Sequence, residues 1–545
     1  MPGFEVGGTI HVVINNQVGF TTEPSEARSS RYCTGGWRAI DSMIVHANGD
    51  DVDGVIDAGT LAFDFRNQFK HDAVIDLVCY RANGHNEIDE PRFTQPRYYR
   101  VADINQGVVA RYEGRLLAEG VLTAAEATAR RLAARTRLEA AFGSPRKDDL
   151  PSAGANSRAS AHRLPLDALQ DMIGRLSEVP AGRGHLKMIG LMQRRRKELE
   201  TGITWALAET MALAGALGDG ISVRFCGQDI ERGPFSQRHL AAIDPDTGER
   251  WSMLQGFARD GAMLEIVNSP LSEYAVLGFE YGYALAASGT LCIWEAQFGD
   301  FANGAQIMID QFIASGFEKW RQTSKLAVLL PHGLEGQGPE HSSARIERLL
   351  QLCARDNIVV AHPSTPANYF HLLRDHATTG DRPLFVVTPK VLLRLPTARS
   401  AIGDFGPGSG FTPVIASSFG SGERAILCSG KIAYEAELER EKRGIAATIV
   451  RLETLYPLPA DAIAEALREA GARTLVWLQE EPENYGAGTW IMPRLSRIAA
   501  TLGIDLEPTV ARPESASPAG SFHGNHDHDQ HQLVLRALGV TGDGE

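Results

Sequence analysis

Two adjacent asparagines, one glutamate and three histidines are the residues of this chain whose types and surroundings could do chemistry. The loop Gly336-Gln337-Gly338-Pro339-Glu340-His341-Ser342-Ser343-Ala344-Arg345 follows an apolar strand at Leu326 to Leu330 and precedes the amphipathic run from Ile346 to Leu352. Ser342 and Ser343 read as helix N-caps, which places His341 in the first turn. Backbone N–H groups and the positive end of the helix dipole would disfavour protonation there. A neutral imidazole in that position can donate one hydrogen bond to a reacting group; on the loop alone, His341 reads equally as a capping histidine. His332, in Pro331-His332-Gly333, is either a second donor at the same strand tip or a turn histidine. Glu273 follows the candidate cap Ser272 at the head of an apolar helix. A carboxylate there complements the helix dipole, or, half-desolvated, holds a proton at a raised pKa. In the run Trp294 to Gln306, Phe301 is either a core residue or a flat wall for a planar ring. The Asn15-Asn16 tip offers amide oxygens to a hard cation such as Mg²⁺ or Ca²⁺, with a backbone carbonyl two residues on; the plainer use is a turn with side-chain caps.

The elements that must position these groups alternate between strand and helix. Thr9 to Ile14 reads as a fully buried strand, Val55 to Phe69 as a helix and Ala73 to Tyr80 as a second buried strand, whose polar tip carries His85. Open α/β sheets place ligands at that strand edge. From about Tyr99 to Glu198, helical composition surrounds an exposed Ser/Ala/Pro/Gly patch at Pro151 to Ala161. Strands and helices alternate again from Trp205 to about Leu393, and Arg399 to Glu423 reads as an interdomain linker. A last α/β unit has strands at Ala425 to Cys428, Ala446 to Leu452 and Thr474 to Gln479. Gly218-Asp219-Gly220 follows a helix rather than a strand, so it reads as a C-cap and not a phosphate turn. His523, His526, His528 and His531 read as a solvated loop.

Bulk properties exclude several classes. A chain of 545 residues predicts about three domains at the usual ~150 residues each. With Lys+Arg 54 against Asp+Glu 67, the net charge of −13 is spread without long runs, which argues against a nucleic-acid surface. Six scattered cysteines without a CxxC pair suggest buried thiols in a reducing compartment. Neither a leader pattern nor a run of about 18 apolar residues is present, so no membrane association is expected.

The motifs Val13 to Phe20, Asp76 to Pro91, Ser269 to Gly282, Trp294 to Gln306 and the His341 loop resemble those of the E1 component of the 2-oxoglutarate dehydrogenase complex. The resemblance continues through Gln479-Glu480-Glu481-Pro482 and Arg512 to Pro518 and so covers nearly the whole chain. It implies an α/β protein of three transketolase-like doubly wound sheet domains, the first truncated. The segments would be 1–105 (diphosphate-binding part), 106–198 (helical connection), 199–398 (pyrimidine-binding), 399–423 (linker) and 424–545 (C-terminal α/β domain). The implied cofactors are thiamine diphosphate and Mg²⁺. By the same resemblance, Asn16 and the Val18 carbonyl would hold the metal, Glu273 would hydrogen-bond the aminopyrimidine, and Phe301 would stack on it with Gln297 on the cofactor side. His85 and His341, with His332 close by, would donate to the substrate.

The implied reaction is decarboxylation of 2-oxoglutarate with succinyl transfer to the lipoyl domain of E2, the dihydrolipoyl succinyltransferase, by a homodimer. The place would be the cytoplasm of a bacterium or the mitochondrial matrix of a eukaryote. The alternatives are a 2-oxoadipate E1 and a non-catalytic fragment that retains the fold. In this family a glycine-aspartate motif that binds diphosphate and metal precedes the Asn-Asn tip, and this chain does not show it. Weak cofactor binding by the chain alone is the expectation. Thr34-Gly35-Gly36-Trp37 also departs from the family's helix-forming segment.

Overall fold

The computed structural model describes residues 2–143, 163–179, 185–420 and 422–540. The chain forms two compact units, Met1–Asp149 and Leu150–Glu545. The Ser/Ala/Pro/Gly patch expected at Pro151 to Ala161 lies outside the described residues.

In the first unit three parallel strands run in the order Ile10–Asn15, Ala73–Val78, Met43–Asn48. Ala73 faces Ile10 on one side and Met43 on the other, and Val78 faces Asn15 and Asn48, so all three strands end at one level. The helix Val52–Phe69 lies on the sheet through the small residues Ala58 and Ala62, which let its backbone approach Ala47, Ala73 and Ile75. The first strand was expected to be buried on both faces. It is an edge strand instead, with Val12 56% and Ile14 71% exposed, and its apolar run reflects β-branched stiffness as much as burial. The strand Met43–Asn48 was not expected, because His46 interrupts its apolar pattern. The interruption is tolerated because His46 Nδ1 pairs at 2.8 Å with the fully buried carboxylate of Asp76 on the central strand. The departure at Thr34-Gly35-Gly36-Trp37 forms a short 3₁₀ turn, Gly35–Ile40.

The helical stretch is shared between the two units. Val108–Ala118 and Ala124–Phe142 belong to the first; Leu166–Leu176 and Leu186–Thr201 belong to the second, where Leu169, Met172, Ile173 and Leu176 join the main core.

Among the described residues, the second unit has two main sheets beside the short pairing of Ala242–Ile243 with Arg250–Trp251. The larger has the order Thr454–Tyr456, Val359–Ala361, Leu384–Pro389, Leu326–His332, Thr290–Glu295, Ser222–Gly227, Leu264–Asn268, and is parallel except at the first strand. Its inner strands are buried on both faces and mostly apolar, with Arg224 the charged exception in Ser222–Gly227, and the helix Trp205–Gly218 is buried along nearly its whole length. That helix ends at Gly218-Asp219-Gly220, with Gly220 at φ +79° and Asp219 paired to Arg374 at 2.8 Å.

The smaller sheet contains Val414–Phe419, Ala447–Leu452, Arg424–Cys428, Thr474–Pro482 and Asp505–Leu506, with Val510–Arg512 also on Thr474–Pro482. The segment expected as a linker therefore carries a strand. Val414–Phe419 pairs antiparallel with Ala447–Leu452, and the glycines on either side of it masked the pattern. The terminal histidines are likewise not in a loop: they lie in the helix His523–Ala537, whose last turns bury Leu533, Val534 and Ala537 against this sheet. All six cysteines are free, and no described helix is long and apolar enough to cross a membrane.

Candidate active site

In the second unit, parallel register brings Gly227, Glu295 and Leu329 into line, and Pro389 beside His332. The turns that leave these strand ends carry Gln228, Gln297 to Phe301, the loop 333–345 and Lys390 at the sheet's carboxyl edge.

Glu273 opens the helix Glu273–Ala286, capped by Ser272, whose Oγ accepts from the N–H of Ala275 at 3.2 Å. Val276, Leu277 and Tyr281 anchor the inner face of this helix. The Glu273 carboxylate is half-buried, and its Oε1 accepts from Gln228 Nε2 at 3.0 Å. Gly304, in the 3₁₀ turn Gly299–Ala305, lies opposite. A Cβ there would sit 3.7 Å from Glu273 Oε2, so glycine keeps one side of the carboxylate open.

His341 does not sit in a helix. The helix is Ile346–Gln351, its N-cap Arg345 has left-handed φ 53°, and no side chain caps it. The serines turn inward to the loop instead: Ser342 Oγ donates to the Gly338 carbonyl at 2.7 Å, and Ser343 Oγ accepts from the N–H of Arg345 at 3.0 Å. A six-residue helix that starts five residues beyond His341 does not supply the dipole effect expected from the spacing.

The loop is held by its neighbours. Asp300 Oδ1 accepts from the N–H groups of Ser342 and Ser343 at 3.3 and 3.1 Å, and Lys390 Nζ donates to the His341 carbonyl at 2.5 Å. Burial pushes the Asp300 carboxyl up, and the Ser343 and Ser342 N–H groups restrain it. The half-buried imidazole of His341 stands edge-on to Phe298 with ring centres 4.6 Å apart, and to Phe301 at 6.1 Å. Glu273, Phe301 and His341 thus belong to neighbouring turns of one sheet edge. Gln297 lies in the same turn as Phe298, half-buried.

His332 is neither a turn histidine nor an exposed donor. It is the last residue of the strand Leu326–His332, 3% exposed, and both ring nitrogens face protein. Nδ1 accepts from the N–H of Ala344 at 3.0 Å, which requires Nδ1 to carry no proton. Nε2 lies 3.0 Å from Glu481 Oε1, close but poorly aligned for a hydrogen bond, and 3.9 Å from Glu480. Burial disfavours the charged ring, while Glu481 and Glu480 pull the pKa up overall; a second proton could be gained only by giving up the Ala344 bond. His332 is thus enclosed by protein and tied to the loop through Ala344.

The remaining candidates lie in the first unit. Asn15 and Asn16 form the side-chain turns that were the plainer reading: Oδ1 of each accepts from the N–H two residues on, at 3.2 and 3.0 Å, with Gln17 at φ 62°. Asn15 Nδ2 also donates to Asp76 Oδ1 at 3.1 Å, and Tyr98 Oη donates to the Asn16 carbonyl at 2.7 Å, so the tip is braced from two sides. Asn16 and Val18 offer neutral oxygens only. Among the described residues no group of three or more His, Cys, Asp or Glu side chains is placed to hold a metal ion. His85 is exposed and stacks on Phe20 with ring centres 4.3 Å apart, and its N–H donates to Asp89 Oδ2 at 2.7 Å.

Comparison with known proteins matches three successive stretches of the chain. Residues 3–152 match the family described as dehydrogenase E1 component, 201–396 the pyrimidine-binding domain of transketolase, and 399–538 the 2-oxoglutarate dehydrogenase C-terminal family. The 2-oxoglutarate dehydrogenase E1 component of Brucella anthropi is 42% identical over an alignment 574 residues long, covering 99% of this chain and 57% of the relative. Those of Brucella ovis and Brucella canis match at the same identity and coverage. The chain belongs to the 2-oxoglutarate dehydrogenase E1 family. It spans 57% of the length of these relatives.

For a member of that family, the sequence left several supporting residues unmarked. Gln228 and Lys390 each stand one residue past a strand's carboxyl end, which was the available signal. Asp300 lies inside a motif already noted, but only the fold shows that its carboxylate holds the His341 loop. Glu480 reaches that loop, and Glu481 the strand end at His332, from a strand more than a hundred residues away; the motif that holds them does not announce these contacts.

Proposed function

We propose that this chain carries out the E1 reaction of the 2-oxoglutarate dehydrogenase complex: decarboxylation of 2-oxoglutarate with thiamine diphosphate and Mg²⁺, and succinyl transfer to the lipoyl group of E2, as a homodimer. The observation that supports it most is the meeting, at one sheet edge, of Glu273 with its open face, the aromatic pair Phe298 and Phe301, and the edge-on imidazole of His341.

These residues fit the pyrimidine side of the cofactor. A half-buried carboxylate kept clear by Gly304 suits a ring nitrogen, and a wall of phenylalanines suits a planar heterocycle. At the metal end, Asn16 and the Val18 carbonyl suit a hard cation as two members of an oxygen shell, the rest of which phosphate oxygens and water commonly supply.

When bound, thiamine diphosphate supplies an electron sink for the carbon that loses carbon dioxide. Glu273 holds or passes a proton at its carboxylate, oriented by Gln228. His341 donates a hydrogen bond to the substrate's keto oxygen, which gains negative charge as the keto carbon becomes tetrahedral, before carbon dioxide leaves. Phe298 and Phe301 exclude water from that side. His85 would act as a second donor. Departure of a neutral gas asks for no nucleophilic serine or cysteine, and the buried Cys226, Cys292 and Cys428, whose thiols burial pushes up, offer none.

The test is substrate choice. The chain, and a chimaera in which it replaces the matching part of the Brucella anthropi relative, would be given 2-oxoglutarate, 2-oxoadipate and pyruvate. Fastest carbon dioxide release from 2-oxoglutarate supports the reading. A chimaera that prefers 2-oxoadipate, or releases nothing, contradicts it.

A further inference from the structure

Lys390 is a buried cation whose hydrogen bonds and nearest ion pair all go to one loop. It stands one residue past the strand Leu384–Pro389 with its side chain 3% exposed. Nζ donates to the carbonyl of His341 at 2.5 Å and to Gln337 Oε1 at 3.2 Å, and Glu335 Oε2 is 3.7 Å away. All three partners belong to the loop that carries His341. That loop is tied back from its other end, where Glu335 Oε1 accepts from the N–H of Val391, the residue after Lys390. Lys390 Nζ also lies 5.8 Å from the centre of the Phe298 ring, the ring against which His341 stands.

Burying an ammonium is costly unless its donors are used. Desolvation pushes this one below the ordinary lysine value, and Glu335, Glu480 and Asp300 oppose that. Packing alone does not ask for a charge here, since an apolar side chain of similar length would fill the same space without the desolvation. The charge is explained if what matters is the direction in which it pulls. A charge-assisted bond to a backbone carbonyl is short and directional, and it fixes the peptide on which the imidazole turns.

We infer that Lys390 is a positioning residue for His341, fixing the loop backbone so that the imidazole stays edge-on to Phe298 at the sheet edge. Its part in the reaction rests on the reading of His341 as the donor to substrate, whereas the positioning itself does not.

The first test needs no activity. Modification of each histidine of the full chain by diethyl pyrocarbonate would be followed by peptide mass spectrometry. In Lys390→Met, His341 should react about tenfold faster or more, the scale of one lost charge-assisted hydrogen bond. The exposed His71 and His528 should keep their rates. Lys390→Arg, which keeps the charge, should restore most of the protection. If Lys390→Met does not fold, Lys390→Gln, neutral but still a donor, is read in the same way. An unchanged His341 rate, or an equal rise at all three histidines, overturns the proposal.

The second test is a double-mutant cycle on 2-oxoglutarate turnover in the chimaera. Lys390→Met should lower kcat more than it raises KM, and adding it to His341→Ala should cost nothing further. Additive losses overturn the proposal. If His341→Ala alone leaves turnover intact, it is the reading of His341 that fails, and the modification rates still decide the positioning.

Discussion

The Nδ1 atom of His332 accepts a hydrogen bond from the backbone N–H of Ala344 at 3.0 Å, three residues after His341. The same ring points Nε2 at Glu481, so one imidazole joins the end of a central strand to the loop on one side and to the smaller sheet on the other. Truncating it leaves a buried N–H without an acceptor. His332→Ala should therefore destabilise the second unit by about 1–3 kcal/mol, the usual cost of such an orphan. His332→Asn, whose Oδ1 takes the place of Nδ1, should recover part of that. Denaturant midpoints of the two variants decide the matter; equal losses would mean that the Ala344 bond contributes little.

A second buried histidine sets an acid limit. His362 is pushed down to about 3, first by burial and then by the positive charge that His332 can carry, and its Nδ1 lies 3.1 Å from Ser429 Oγ. The ordinary histidine value is 6.5, so above that pH neither state binds the proton and the group is silent. Between that value and about 3 the unfolded chain gains a proton that the folded chain refuses, and stability falls with falling pH. Each such proton is worth about 1.4 kcal/mol per pH unit. His362→Asn, which keeps a polar partner for Ser429, should flatten the loss measured between about pH 6 and about pH 5 by up to that slope. An unaltered slope would show that His362 is not the group that resists protonation.

Beneath the candidate site, Arg238 binds two carboxylates at once. Its Nη1 and Nη2 donate to Glu295 at 2.8 and 2.7 Å, and Nη2 also donates to Glu209 at 3.1 Å; Tyr369 Oη donates to Glu209 at 2.7 Å. All of these groups are buried. Arg238→Met leaves two carboxylates uncompensated and should cost about 3–5 kcal/mol, the scale for breaking a buried pair from one side. Adding Glu295→Gln should return part of the loss. Urea titration of the single and double variants checks this, and a single variant close to wild type would contradict it.

Much of this arrangement was legible in the sequence because it is local. Ser272 and Glu273 announce a capped helix in two residues, and the apolar run at Leu326 to Leu330 reads as the strand it forms. What was not legible depends on partners distant in the chain. Met43–Asn48 was passed over as a strand, and the buried partner of its His46 is Asp76 on the central strand, distant in sequence. Ser342 and Ser343 have the composition of an N-cap, but their hydroxyls serve the loop, and the left-handed Arg345 starts the helix later. His332 read equally as a second donor or a turn residue, because its carboxylate partners come from Thr474–Pro482.

In the proposed function, the carboxyl edge of the larger sheet would hold the pyrimidine side of thiamine diphosphate, with Glu273 as the proton-handling group. The most direct measurement is ferricyanide-linked decarboxylation of 2-oxoglutarate by the chimaera with Glu273 intact and with Glu273→Ala. A fall of more than about tenfold is expected, the lower range for a group that handles a proton in the transition state. A Glu273→Ala rate equal to that of the unaltered chimaera would contradict it.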